Sequence, residues 1–308
     1  MQYPVVAAAA FSTQRQHLWD LSYRATGSVA DADMLLPESF SRAVERPLND
    51  RETDWRPQLV RSAAMLAMET LRHRRHRQYV GCWLPSPIET GNASSPGPRP
   101  HATDGERYDR VESGSMAFLR ALEGLEPRER LPFVMCDAVG FHVQDAAAAL
   151  EVTSANVRSA LQTARHKMRV YDSTHAAPTA EVQANVAAVL RDCLTHLQQF
   201  DASRLEKMLS VDAQAVFDGA GEFVAPPRAV FGVGTIAKVL TKFVAGTGPI
   251  TVAFRMLNGL PAALGQSEGR PRWARRFVLR VETQGPLISE VQVIMATSKL
   301  TAVRFDPI

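Results

Sequence analysis

The chain has 308 residues, room for two or three domains with real cores, and its 45% hydrophobic content excludes a largely disordered polypeptide. Its 35 basic and 32 acidic residues leave a formal charge of only +3, which excludes nucleic-acid affinity through overall charge and leaves local clusters to supply it. Cys82, Cys136 and Cys193 stand far apart with no C-x-x-C pair, which argues against a disulfide framework or zinc ribbon and fits a reducing compartment. Residues 5–11 are apolar but follow no basic stretch, and no apolar run approaches a membrane span, so a soluble cytoplasmic protein is expected.

The first region, residues 8–79, reads as helical. Leu18, Leu21 and Ala25 share one helix face; Gly27 can end that helix and Ser28 can cap the next, with Asp31 three residues on. The second helix turns Ala32, Leu36, Phe40 and Ala43 inward, and Pro37 inside it should kink or interrupt it. A polar loop at 46–54 precedes a third helix from about Pro57, with Val60, Ala64, Ala67 and Leu71 facing in and Trp55 as a core anchor. That helix ends in Arg72-His73-Arg74-Arg75-His76-Arg77, a cluster suited to a phosphate backbone.

Residues 80–115 are too rich in proline and glycine for a helix and read as a linker, stiff at the prolines and flexible around 91–95. A second helical block covers 116–172. It opens on Phe118, Leu119 and Leu122, restarts at Pro127, and ends in two short helices across a tight turn. Val143, Ala147 and Leu150 mark the first apolar stripe; Val157, Leu161, Ala164 and Met168 mark the second, after a cap at Thr153. The free face of the second helix carries Asn156, Arg158, Ser159, Gln162, Arg165, His166 and Lys167. In a helix-turn-helix the N-terminal members of such a set, Asn156, Arg158 and Ser159, would meet base edges, and Arg165 and Lys167 phosphates.

From 178 to 308 the pattern becomes α+β. An amphipathic helix (Val182, Val186, Val189, Cys193, Leu197) leads into period-two runs at Phe277, Leu279, Val281 and at Val291, Val293, Met295, with Asn258-Gly259 as a hairpin turn and a helix near 233–244. A curved antiparallel sheet wrapped on helices is expected. Among His196, Asp201, Asp218 and Glu222 no spacing compels a catalytic site, and Asp218 reads as a turn residue. No phosphate loop, metal cluster or nucleophile motif stands out, so neither an enzyme nor a cofactor is expected.

Taken together, LWDLSYRATGSVADADMLLPESF, WRPQLVRSAAMLAMETLRHRRHR and LEPRERLPFVMCDAVGFHVQDAAAALEVTSANVRSALQTARHKM resemble the bacterial extracytoplasmic-function sigma factors, and more narrowly the subgroup with a C-terminal SnoaL-like extension. The resemblance implies a multidomain protein: two all-α domains, sigma domain 2 at 8–79 and sigma domain 4 at 116–172, followed by a cone-like α+β domain at 178–308. It implies core RNA polymerase and promoter DNA as partners, with no membrane. Asp31, Asp33, Leu36 and Glu38 would meet the polymerase clamp, Arg72, Arg74, Arg75 and Arg77 the minus-ten DNA, and the 46–54 loop a flipped base. The string Trp83-Leu84-Pro85-Ser86-Pro87 resembles the subgroup's Trp-Leu-Pro-Glu-Pro motif, and Asp218-Gly219-Ala220-Gly221-Glu222 its Asp-Gly-Gly-Gly-Lys motif. Trp83, Pro85, Pro87, Asp218, Gly219, Gly221 and Glu222 are thereby implied as interdomain regulatory residues.

The departures from the family pattern are Pro37 for glutamine, Met65 for asparagine, Met68 for arginine, Pro132 inside a helix, Ser86 for glutamate and Glu222 for lysine. Two alternatives stay open: a DNA-binding regulator with impaired polymerase binding, motivated by Pro37 and Met65, and a cone that binds an unidentified small ligand and carries a tethered DNA-binding sensor.

Overall fold

The computed structural model describes residues 3–45, 54–76, 79–90, 108, 112–174 and 179–306. Two compact units are present, one from residues Met1–Gln78 with Ser95–Ala176, the other from Tyr79–Ser94 with Ala177–Ile308.

The first unit is all-helical. Helices α1 (Tyr3–Thr26), α2 (Val29–Glu45) and α3 (Arg56–His76) pack against one another. The α1–α2 corner forms where Gly27 takes a positive φ of 66° and the Ser28 hydroxyl accepts from the Asp31 N–H at 3.2 Å. On α3 the fully buried Ala63, Ala64 and Ala67 let the helix sit close to its neighbours, with Trp55 buried just ahead of it. The interruption expected at Pro37 does not occur: α2 is unbroken from Val29 to Glu45. Leu35, Leu36 and Ser39 on either side of the proline are buried, so packing holds the turn that has lost a backbone donor.

The same unit continues through α4 (Met116–Ala121), α5 (Pro127–Phe133), α6 (Val143–Leu150), α7 (Ser154–Lys167) and α8 (Arg169–Thr174). Pro127 starts α5 inside a Glu126/Glu129 capping box; the helix runs past Pro132 and then widens into a π turn at Val134–Ala138. Tyr108 sits among the rings of Phe118, Phe133 and Tyr171, 4.8 to 6.1 Å between centroids. The region that reads as one linker is thus divided. Tyr108 and the short turn Glu112–Gly114 belong to the helical unit, whereas residues 79–90 belong to the other; the flexible stretch expected around 91–95 lies outside the described residues.

The second unit has α9 (Ala180–Gln198), α10 (Ala202–Met208), β1 (Leu209–Asp218), β2 (Val230–Phe231), α11 (Val233–Thr247), β3 (Ile250–Leu257), β4 (Leu260–Ser267), β5 (Arg276–Gln284) and β6 (Leu287–Ile294). The six strands form one sheet in the order β2-β1-β6-β5-β4-β3. The expected all-antiparallel sheet is corrected at one seam, because β1 runs parallel to β6. Strands β3 to β6 follow one another and pair as an antiparallel meander; β1 meets β6 only after a long connection, which frees its direction. The hairpin at Asn258-Gly259 has φ of 50° and 81°, the two positive values a primed two-residue turn requires. Val186, Leu190 and Cys193 of α9, Ile236, Leu240 and Phe243 of α11, and Phe217, Leu279, Val291 and Val293 of the sheet make the core. All of β4 and nearly all of β6 are buried, so both strand faces are covered and sequence alternation is not mirrored in burial.

Candidate nucleic-acid interface

The turn between α6 and α7 follows from three residues. Glu151 takes a left-handed conformation (φ 55°) that ends α6, Thr153 is extended, and its hydroxyl accepts from the Asn156 N–H at 3.1 Å to start α7. Val157, Leu161, Ala164 and Met168 are buried, which fixes the rotation of α7. Asn156, Arg158, Ser159, Gln162, Arg165, His166 and Lys167 are accordingly all exposed. An open groove of about 880 Å³ runs along this face, lined by Val143, Arg158, Leu161, Gln162, Thr163, Arg165, His166 and Arg169. Arg169 was missed in the sequence because it lies beyond the α7 period, at the first position of α8.

The cations at the end of α7 also have work inside the fold. Arg165 donates twice to buried Asp137, at 2.7 and 2.8 Å, and this hydrogen bonding raises its pKa further. Lys167 donates to both Glu129 oxygens at 2.7 and 2.9 Å. Each pair braces α7, and both cations stay partly open to solvent, 46% and 39% exposed. Arg158, near the helix start, stands nearer the position a base-reading residue takes.

The other candidate residues lie on α2 and α3. Leu36 is only 6% exposed and belongs to the core, which corrects its assignment as a surface contact: its period places it inward, and Met34, 57% exposed, stands on the surface instead. Asp33 is exposed and accepts from Trp19 Nε1 at 2.7 Å, and Glu38 is exposed beside Arg42. A groove of about 330 Å³ lies here, lined by Met34, Leu35, Pro37, Glu38, Ser41, Leu66, Glu69, Thr70 and His73. Beside it Arg42 and Glu69 form a bidentate pair at 3.0 Å, whose hydrogen bonds pull the Glu69 carboxyl below its ordinary pKa.

In the basic cluster, Arg72 is exposed, but Arg74 donates to the Thr26 carbonyl at 2.7 Å and to Asp31 at 2.6 Å. Asp31 and Arg74 therefore meet each other, which the separate roles assigned to them did not foresee. The side chain of Arg75, the whole of Arg77 and the loop up to residue 53 lie outside the described residues. Met68 is buried, so it fills the α3 core rather than presenting a surface; Met65 is half-buried.

Within the second unit the two motif strings meet. Asp218, fully buried at the end of β1, accepts from the Tyr79 hydroxyl at 2.5 Å and the Leu84 N–H at 2.7 Å, and pairs with Lys299 Nζ. Lys299 also donates to the Leu84 carbonyl and lies 4.9 Å from the Tyr79 ring centroid and 4.3 Å from that of Trp83. Asp218 is thus a buried anchor and not the turn residue expected. Gly221 brings the backbone against Val80, where an added Cβ would lie 3.2 Å from its side chain. Glu222 accepts weakly from the Thr297 N–H, and Pro85, Ser86 and Pro87 are buried. Lys299 gave no sequence signal, being a lone lysine 81 residues from its partner.

Of the other polar candidates in this unit, Asp201 caps α10 through the Arg204 N–H, and no group of three or more potential metal-ligating side chains occurs among the described residues. No helix among them is long and apolar enough to cross a membrane.

Residues 115–168 match the family model described as sigma-70, region 4. That segment holds the whole α4–α7 block and the exposed face of α7. The chain is similar to the extracytoplasmic-function sigma factors. It is 28% identical over 242 residues to sigma factor SigJ of Mycobacterium tuberculosis, covering 78% of this chain and 73% of that protein. It is 25% identical over 303 residues to the probable sigma factor SigI of the same organism, covering 97% and 96%. The crystal structure of Mycobacterium tuberculosis SigJ superposes with a TM-score of 0.70 at 22% identity over 97% of this chain and 100% of that one, so the helical region and the mixed-sheet domain share its fold.

Proposed function

We propose that this protein is a transcription initiation factor of the extracytoplasmic-function sigma class, which binds core RNA polymerase and carries it to a restricted promoter set. The observation that carries the reading is the exposed polar face of α7 inside a matched sigma-70 region 4. In this reading residues 8–79 serve as sigma domain 2 and 116–172 as sigma domain 4, with α6–α7 as a helix-turn-helix on the minus-thirty-five element. Asn156, Arg158, Ser159 and Gln162 address base edges, and Arg165, His166, Lys167 and Arg169 the flanking phosphates. Asp33 and Glu38, with Met34 and Pro37 between them, form the polymerase-docking face, and the exposed end of α3 at Arg72 meets minus-ten DNA.

The C-terminal unit, residues 178–308, acts as a SnoaL-like cone that regulates in cis by holding the chain that leaves domain 2. The anchoring of Tyr79, Trp83 and Leu84 by Asp218 and Lys299 supports this, since a tether held at one end samples fewer separations between two DNA-reading modules. No catalytic role is assigned to it.

Run-off transcription with core polymerase, on promoters enriched by binding to the reconstituted holoenzyme, tests the reading. Specific transcripts are expected, lost when Asp33 and Glu38 are both reversed to lysine in a folded protein. Normal polymerase binding by that variant would turn the reading towards a DNA-binding regulator. Truncation near Pro178 is expected to change transcript yield several-fold; an unchanged yield would remove the cis-regulatory role.

A further inference from the structure

Charge is distributed unevenly along the second unit. From Phe223 to Val281 nine basic residues stand against a single acid, Glu268, an excess of eight in a chain whose whole formal charge is +3. The fold uses three of the nine: Arg280 is buried in the sheet, Arg255 pairs with Asp306, and Arg276 lies over the Phe305 ring. Lys238, Lys242, Arg270, Arg272 and Arg275 are exposed, and among the described residues none of the five is in an ion pair.

These five cations come together at one place. Lys238, Lys242 and Ala245 are exposed at i, i+4 and i+7 of α11, one stripe along the helix, and the Ala245 carbonyl at its end accepts from Arg270 at 3.3 Å. The β4–β5 connection, which carries Arg270, Arg272 and Arg275, is fixed there by Trp273. Its ring lies 6.2 Å from that of Phe243 and so close to Gly246 of α11 that a Cβ there would run into it.

Two local costs are kept at this surface. The Trp273 N–H donates to the Arg270 carbonyl at 3.0 Å across Pro271 and Arg272, the form of a type II turn, and Arg272 holds the positive φ of 68° for which glycine is the ordinary residue. Lys238 and Lys242, like charges one turn apart, repel each other. Arg270 serves the carbonyl end of α11, but the side chains of the other four have no hydrogen-bonded partner among the described residues to offset these costs.

Guanidinium forks and ammonium groups held on one surface match phosphate oxygens. Trp273, the one aromatic residue of the turn, is packed into the core, so the turn offers no ring for stacking a base. That combination fits a duplex backbone rather than unstacked bases. We propose that α11 and the β4–β5 turn form a sequence-independent binding surface for the phosphate backbone of duplex DNA. That the duplex is promoter DNA rests on the sigma-factor reading; the affinity for the backbone does not.

The test is binding of the full chain to a fluorescent duplex of mixed sequence, followed by anisotropy across a salt series. Arg272→Gln with Arg275→Gln should weaken binding about tenfold and lower the log–log salt slope by about two, at about 0.9 per phosphate released. Lys238→Gln with Lys242→Gln should do the same. Arg191→Gln with Lys207→Gln removes two exposed cations from α9 and α10 and should bind like the parent. Arg272→Gly separates binding from folding: it relieves the turn, so its denaturation midpoint should be no lower than the parent's while its affinity falls about threefold. An unchanged slope in both surface pairs, or an equal loss in the control pair, overturns the surface. A larger loss on single-stranded DNA than on the duplex overturns the duplex assignment, as does a loss confined to core polymerase binding. Surface variants that lose duplex affinity, in a parent that yields no promoter transcripts with core polymerase, overturn the sigma reading and leave the surface standing.

Discussion

Helix α7 and the segment at 79–84 use the same chemistry to opposite ends. On α7 the charged groups keep open to solvent, even where Arg165 and Lys167 are also paired within the fold; at 79–84 a lysine, an aspartate, a tyrosine and a tryptophan converge where Asp218 is fully buried and Lys299 is 6% exposed. Exposed charge costs the fold little and is free to meet a partner, whereas a buried pair is repaid only by its own geometry. Charged residues alone do not distinguish a recognition surface from a structural clasp; burial does.

The sharpest way to break that contrast is to remove one half of the clasp. Asp218→Ala leaves Lys299 buried without its carboxylate and should cost about 3–5 kcal/mol in unfolding of the C-terminal unit, followed by chemical denaturation. Asp218→Asn combined with Lys299→Met should recover most of that loss. If Asp218→Ala denatures like the parent, the pair is not the clasp described.

On α7 the same experiment at Arg158 should leave stability nearly untouched and change binding instead. Arg158→Ala is expected to lower discrimination between promoter and mismatched DNA by about 1–3 kcal/mol, read by competition binding. Lys167→Ala should weaken binding evenly across sequences and reduce the log–log salt slope by about one. Equal, sequence-blind losses for both would sink the division of roles along the helix.

The smallest effect belongs to the half-exposed pair Arg42–Glu69. The folded-state pKa of Glu69 is depressed, so its contribution is present above the ordinary carboxylate pKa and is lost as pH falls through the lowered value. Glu69→Gln should therefore lower stability slightly at neutral pH and flatten the acid limb of the stability curve. An acid limb identical to the parent would show that solvent screening has cancelled the pair.

The helices, their inward faces and the Asn258-Gly259 hairpin were legible along the chain, because helix periods, caps and primed turns are set by residues a few positions apart. The exposed face of α7 was legible for the same reason: once Val157, Leu161 and Ala164 are inside, the rest of the helix is outside. Leu36 shows the limit of family reasoning, since its own period places it in the core.

What only the tertiary structure decided are the long-range pairings. They include β1 beside β6, the clasp of Asp218 and Lys299 around residues 79–84, and the ion pairs that join Arg61 to Glu151 and Arg74 to Asp31. Each joins residues tens to hundreds of positions apart, whose meeting depends on how whole elements pack and which charges that packing removes from water. No local rule of spacing carries that information.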